Sequence, residues 1–186
     1  MIALDTSILV YARREEAAHH AAARTLLRRL TEGEEPWALP WPCVYEFLRV
    51  VTHPRVFDPP TDLDVALDDL ESLFDSPSIV LLGDGPSHRA HFRHAASGGR
   101  ASGNLVHDAH IAALVVEHGV RELWTTDRGF ARFPGLRIRN PFLPAEAHET
   151  RTTYRRGELR SRLRSRTPVI PRVALANVVR KERTRR

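Results

Sequence analysis

Four acidic residues stand where a carboxylate is out of keeping with its neighbours. Asp5 ends the apolar run Ile2-Ala3-Leu4, and Glu46 interrupts Val44-Tyr45-Phe47-Leu48. Asp108 lies inside the helix-patterned stretch Leu105–Val116, and Asp127 follows Leu123-Trp124-Thr125-Thr126. Carboxylates are rarely buried unless paired or bound to metal. The only lysine is Lys181, and no arginine lies within two positions of Asp5, Glu46 or Asp108, although Arg128 adjoins Asp127. If the fold gathers the four within about 5 Å, each ionised pair repels by about 3 kcal/mol at an effective dielectric near 20. Summed over all pairs, that exceeds what a domain stable by about 5–15 kcal/mol tolerates. A shared divalent cation resolves the repulsion, and an all-oxygen donor set suits Mg²⁺ or Mn²⁺ rather than zinc. Carboxylate–metal sites of this kind hydrolyse phosphodiesters through activated water.

Taken singly, three of the acids have plainer uses. Asp5 can cap a helix beginning near Ser7, Asp127 can hold a turn before Gly129, and Glu46 can face solvent. Asp108 is harder to place so, because Leu105, Ala109, Ala112, Leu114 and Val115 leave little polar surface around it.

The elements that must carry these residues alternate between strand and helix. Ile2–Leu4, Trp37–Leu39, Ile79–Leu82, Glu122–Thr125 and Leu136–Ile138 read as short strands. His19–Leu30, Pro42–Val51, a segment opening at Thr61-Asp62, Pro86–Ala96 and Leu105–His118 read as helices. The fourth-strand-to-fifth connection is Asp127-Arg128-Gly129-Phe130. In the Thr61-Asp62 helix, Leu63, Ala66, Leu67, Leu70 and Phe74 form the apolar stripe, and the acids of Asp58–Asp75 form its wet face. Strands spaced by helices predict an α/β fold with a mainly parallel sheet, whose ligands sit beyond the carboxyl ends of the strands. Asp5 and Asp127 each follow a strand at that edge.

Composition divides the chain in two. Residues 1–144 hold 15 arginines against 19 acids, whereas residues 145–186 hold 13 basic residues against 4 acids. The net charge of +5 therefore belongs to the tail. The expected organisation is a nuclease-like domain over 1–144 and a basic, disordered extension over 145–186. That extension either grips RNA phosphates or is dispensable; its one aromatic residue, Tyr154, favours the second reading. No apolar run approaches membrane-spanning length, Asp5 stops any leader-like run, and Cys43 is alone, so a cytoplasmic protein with no membrane partner is expected.

The segments Met1-Ile2-Ala3-Leu4-Asp5-Thr6-Ser7, Tyr45-Glu46-Phe47-Leu48-Arg49, Gly103–Leu114 around Asp108, and Leu123–Phe130 around Asp127 together resemble the PIN-domain ribonucleases, and among them the VapC toxins of type II toxin–antitoxin systems. The likeness covers about residues 1–143. It implies a three-layer α/β/α sandwich around a five-stranded parallel sheet, Mg²⁺-dependent endoribonuclease activity, a homodimer, and inhibition by a small cognate antitoxin. By the same resemblance, Asp5 and Asp108 are the principal metal ligands, Glu46 completes the ligand set or positions water, and Asp127 supports a second ion or a bridging water. Thr126 matches a hydroxyl position near the site. A non-catalytic RNA- or partner-binding module of the same fold is the alternative.

Other chemistries fail on particular residues. A haloacid-dehalogenase-type phosphatase needs Asp two positions after the first, where Ser7 stands. Phosphate-binding loops and receiver domains need a lysine that the body lacks, and no G-x-S-x-G elbow occurs. His88, His91 and His94 recur every three residues and could bind zinc, but a solvated, histidine-rich helix is the simpler reading. His107 and His110 flank Asp108 and could meet RNA phosphate at the rim.

Overall fold

Residues 1–144 are described in the computed structural model. The sheet starts with β1 (Ile2–Leu4), all three residues buried, as expected of a parallel strand covered on both faces. It is followed by β2 (Trp37–Pro40), β3 (Ile79–Leu82), β4 (Leu123–Trp124) and β5 (Ile138–Arg139), all parallel, in the spatial order β3-β2-β1-β4-β5. Ala3 sits at the centre, opposite Ala38 on one side and Leu123 on the other. Successive strands step one way from β1 to β3, then the chain crosses back to place β4 on the other flank of β1. The β1/β4 boundary is thus the topological switch point, where open parallel sheets form a crevice at the carboxyl edge. Right-handed crossovers running in opposite directions put helices on both faces, the α/β/α layering anticipated from sequence.

Among the described residues six α-helices fill those layers: α1 (Thr6–Arg13), α2 (His20–Thr31), α3 (Trp41–Val51), α4 (Leu63–Phe74), α5 (His88–Gly98) and α6 (Leu105–Glu117). Ile8, Leu9, Val10 and Tyr11 are all buried, so α1 is apolar on every side and packs between its neighbours α2 and α3. α3 follows β2 without a loop, and Pro42 occupies its first turn, where a missing N–H costs nothing. α6 ends at Gly119, whose φ of 63° supplies the left-handed stop anticipated there.

Three departures from the expected elements have physical causes. The last strand is Ile138–Arg139 rather than Leu136–Ile138, because Leu136 N–H still bonds Phe133 O and Gly135 turns the chain at φ 79°. Of the α4 stripe only Ala66 and Leu70 are buried; Leu63 and Leu67 face outward. The connection after β4 winds into a short 3₁₀ helix, Arg128–Arg132, started by the Asp127 carboxylate accepting from Gly129 N–H. Among the described residues no helix is long and apolar enough to cross a membrane. The expected basic extension, 145–186, lies outside the described residues.

Candidate active site

Asp5 leaves β1 and becomes the N-cap of α1, with extended backbone (φ −86°, ψ 157°) and its carboxylate turned towards Ser7 N–H. The plain helix-capping use is therefore present, but it accounts for little of what surrounds the side chain. Asp5 is 3% exposed, and its Oδ2 accepts three hydrogen bonds: from Ser7 Oγ at 2.8 Å, from Thr125 Oγ1 at 2.7 Å and a longer one from Ser7 N at 3.4 Å. Each hydroxyl in turn accepts a backbone N–H from the loop after β4. Asp127 N–H donates to Thr125 Oγ1 at 2.9 Å, and Thr126 N–H donates to Ser7 Oγ at 3.3 Å. Chains of this kind polarise one another and hold the acceptor rigidly. The β1–α1 junction and the β4 exit, on opposite sides of the switch point, are thus strapped together through one carboxylate oxygen.

Glu46 sits midway along α3 and is also 3% exposed, so the solvent-facing reading is wrong. The residue after Asp5 reaches it: Thr6 Oγ1 donates to Glu46 Oε2 at 2.9 Å. Glu46 has a cationic neighbour that a two-residue window overlooks, Arg49 one helical turn on, with Nη2 at 3.4 Å from Oε1. That guanidinium is 41% exposed, and a long, solvated pair offsets little of a buried charge. His107 Nε2 stands 3.7 Å from Glu46 Oε2, which brings the first turn of α6 against α3. Asp108 is the next residue in that turn, 5% exposed, with Ala109, Ile111 and Ala112 buried beyond it.

Cys43, fully buried on α3, registers the same concentration of charge. Burial pushes its thiol well up, and the Asp5 and Glu46 carboxylates push it further in the same direction. The thiol stays protonated and contributes no nucleophile.

Asp127 is half-buried and is held by its own turn, Oδ1 accepting from Gly129 N–H at 2.6 Å. Thr125 links it to Asp5, its hydroxyl accepting from Asp127 N–H and donating to Asp5. The hydroxyl that orients Asp5 therefore belongs to Thr125; Thr126 Oγ1, the expected one, is buried without a hydrogen-bond partner. Thr6, Ser7 and Thr125 are the site residues that sequence reasoning passed over. The histidine triplet on α5 does not assemble as spaced: His91 Nδ1 faces Ser87 O, and His94 is exposed.

The carboxylates and hydroxyls at the switch point are oxygen donors, which fit a hard divalent cation such as Mg²⁺ or Mn²⁺ and fit zinc poorly. A separate groove lies elsewhere. It has a volume of about 530 Å³, lies between α1, α2 and α4, and none of the four acids lines it.

Comparison with known proteins agrees with this arrangement. A family model described as PIN domain matches residues 2–136. Ribonuclease VapC43 of Mycobacterium tuberculosis is 41% identical over 148 residues, 80% of this chain and 99% of that protein. Ribonuclease VapC48 of the same organism is 36% identical over 138 residues, covering 74% of this chain and 95% of that protein. In fold, the chain resembles VapBC2 from Rickettsia felis, solved bound to a promoter DNA fragment, with a TM-score of 0.56 at 18% identity over 75% of this chain and 98% of that one. It also resembles Mycobacterium tuberculosis VapC20, described as a sarcin–ricin loop cleaving toxin, with a TM-score of 0.52 at 13% identity over 70% and 93% of the two chains. The sheet order, the family match and the relatives agree: the chain belongs to the PIN-domain family, alongside proteins named VapC ribonucleases.

Proposed function

We propose that this protein is a divalent-cation-dependent endoribonuclease, the toxin of a type II toxin–antitoxin pair acting in the cytoplasm. The observation that carries the reading is the burial of three carboxylates from three separate elements, Asp5, Glu46 and Asp108, around the β1/β4 switch point of a PIN-domain sheet. Asp5 and Asp108 would be the principal ligands of Mg²⁺, with Mn²⁺ as a substitute. When bound, the cation supplies an activated water and stabilises charge on the phosphodiester oxygens. Thr125 and Ser7 hold Asp5 in one rotamer, and Thr6 does the same for Glu46, which completes the ligand set or orients water. Asp127, fixed by its turn, supports a second ion or a bridging water. Arg49 and the exposed Arg128 stand at the rim, where RNA phosphates would arrive.

The groove between α1, α2 and α4 suits the antitoxin. Its floor includes Leu9, Leu27, Phe47 and Leu73, and Arg13 and Arg24 also line it. An amphipathic helix would lay its apolar face in it, and a basic antitoxin side chain inserted among the acids is a separate part of this proposal. The homodimer common to the resemblance remains part of this proposal.

The direct test is cleavage of RNA with Mg²⁺ or Mn²⁺, with and without EDTA, by the parent and by Asp108→Asn. Cutting is expected only from the parent and only with the cation present. Equal cutting by both proteins would remove Asp108 from the mechanism, and RNA binding without cleavage by the parent would make the chain a binding module. Co-expression with the cognate antitoxin should relieve growth arrest.

A further inference from the structure

A second group of ligand-type side chains lies at the far margin of the same sheet edge. Asp84 follows β3, His88 opens α5, and His110 lies in the second turn of α6. One ligand atom from each lies within 4.8 Å of the others. His110 Nε2 is 2.8 Å from Asp84 Oδ1, and His88 Nε2 is 3.6 Å from the same oxygen. Two donors bound to one tetrahedral ion at about 2.05 Å each stand about 3.3 Å apart, and the two distances bracket that value.

The surroundings are those of an oriented ligand rather than of a solvated helix. His88 Nδ1 meets Glu117 Oε2 at 2.9 Å, and the Ser87 N–H donates to Glu117 Oε1 at 3.0 Å. A carboxylate on the distal nitrogen fixes the ring and its tautomer, and leaves Nε2 for an ion; this is the commonest support of a metal-binding histidine. Phe92 stacks on His88 and meets His110 edge-on, and the two imidazoles contact each other at 4.9 Å between centroids. His88 is only 14% exposed and Glu117 only 6%, whereas Asp84 is 62% exposed and leaves the open side to solvent.

The geometry points to a second cation site, formed by Asp84, His88 and His110 with Glu117 behind His88, that takes a first-row transition ion of the zinc class. Two imidazoles and one carboxylate favour Zn²⁺ or Co²⁺ over Mg²⁺, which prefers oxygen and water. The site is chemically distinct from the acidic one and does not depend on the nuclease reading. An ion there joins the β3–α5 loop to α6, the helix whose first turn carries His107 and Asp108.

The test uses the full chain, stripped with chelator and dialysed against micromolar Zn²⁺, with bound metal measured by elemental analysis. The parent is expected to retain one equivalent more than the double variant His88→Gln/His110→Gln, and to melt several degrees higher with zinc than without. Asp108→Asn should keep that equivalent. Cobalt should give the parent visible absorption bands that the double variant lacks. Because His88 is partly buried, the exposed single variant Asp84→Asn is measured beside it; its zinc affinity should fall at least tenfold in competition with a chromophoric chelator. Equal zinc retention by the parent and a folded double variant, or unchanged affinity in Asp84→Asn, would overturn the site. Loss of the equivalent in Asp108→Asn would do so too, by moving the ion to the acidic cluster.

Discussion

The two candidate ion sites share one edge of one sheet and differ in almost everything else. Of the acidic candidates on the switch-point side, Asp5, Glu46 and Asp108 are only 3–5% exposed, Asp127 is half-buried, and all four offer oxygen. The histidine group sits past the outermost strand β3, opens to solvent through Asp84, and offers two nitrogens with one oxygen. Burial makes the first site costly to assemble without a cation, since like charges cannot disperse into water. Exposure makes the second cheap to leave empty, because its one carboxylate, Asp84, is solvated. One arrangement has to be held together by the rest of the fold, and the hydroxyl–amide strap around Asp5 does so. The other needs only a single supporting carboxylate.

The largest expected effect follows from that strap. Asp5→Ala removes the acceptor of the Ser7 and Thr125 hydroxyls and the N-cap of α1. Cleavage should fall below detection, and stability should drop by about 2–4 kcal/mol, from a lost cap and stranded buried donors. Asp5→Asn keeps the shape and most of the capping; it should lose comparable activity while its metal-free melting temperature stays within a few degrees of the parent. Thermal melts beside cleavage rates decide the matter: equal destabilisation by both variants would mean that the carboxylate's charge, not its hydrogen bonding, holds the junction.

Next in size is Thr125→Val. It deletes the hydroxyl that donates to Asp5 and accepts from Asp127 N–H, leaving a part-buried N–H without that acceptor. A loss of about 1–3 kcal/mol in stability and about 10–100-fold in cleavage is expected. Thr126→Val should do neither, because the Thr126 hydroxyl makes no hydrogen bond. Similar effects from the two variants would contradict the strap.

Why sequence distinguished some of these residues and not others is a matter of range. Glu46 and Asp108 betray themselves locally, since each interrupts an apolar helical pattern and the core closes over it. That Asp5 and Asp127 share the carboxyl edge of a parallel sheet is also legible, because strands alternating with helices run parallel; the strand order that sets β4 beside β1 is not. Thr125 and Thr126 are different. Adjacent residues in extended chain point opposite ways, so only one can reach Asp5, and which one depends on the register that sets Leu4 against Trp124. The histidine group is less legible still: periodicity along α5 offers His88, His91 and His94, but the partner of His88 is on α6 and the oxygen comes from a loop. Arg49 was overlooked for a simpler reason, as a helix turn makes i and i+3 neighbours.

Arg49 gives the smallest effect and the finest probe of the contrast. It is a cation beside the acidic site, paired with Glu46 at a long 3.4 Å and 41% exposed. On the proposed reading it relieves part of the repulsion felt by Glu46 while the acids are free of metal; with a divalent ion bound, that relief would be redundant and the guanidinium would compete with the ion. Arg49→Gln should therefore cost less than about 1 kcal/mol without metal. The same change should enlarge the rise in melting temperature that Mg²⁺ or Mn²⁺ produces, by a degree or two. The rise produced by zinc at the histidine group should not change. Calorimetric melts of the parent and Arg49→Gln, each with no metal, Mn²⁺ or zinc, separate these outcomes. A reduced Mn²⁺ response would mean that Arg49 helps to assemble the acidic ligands rather than standing in for their ion.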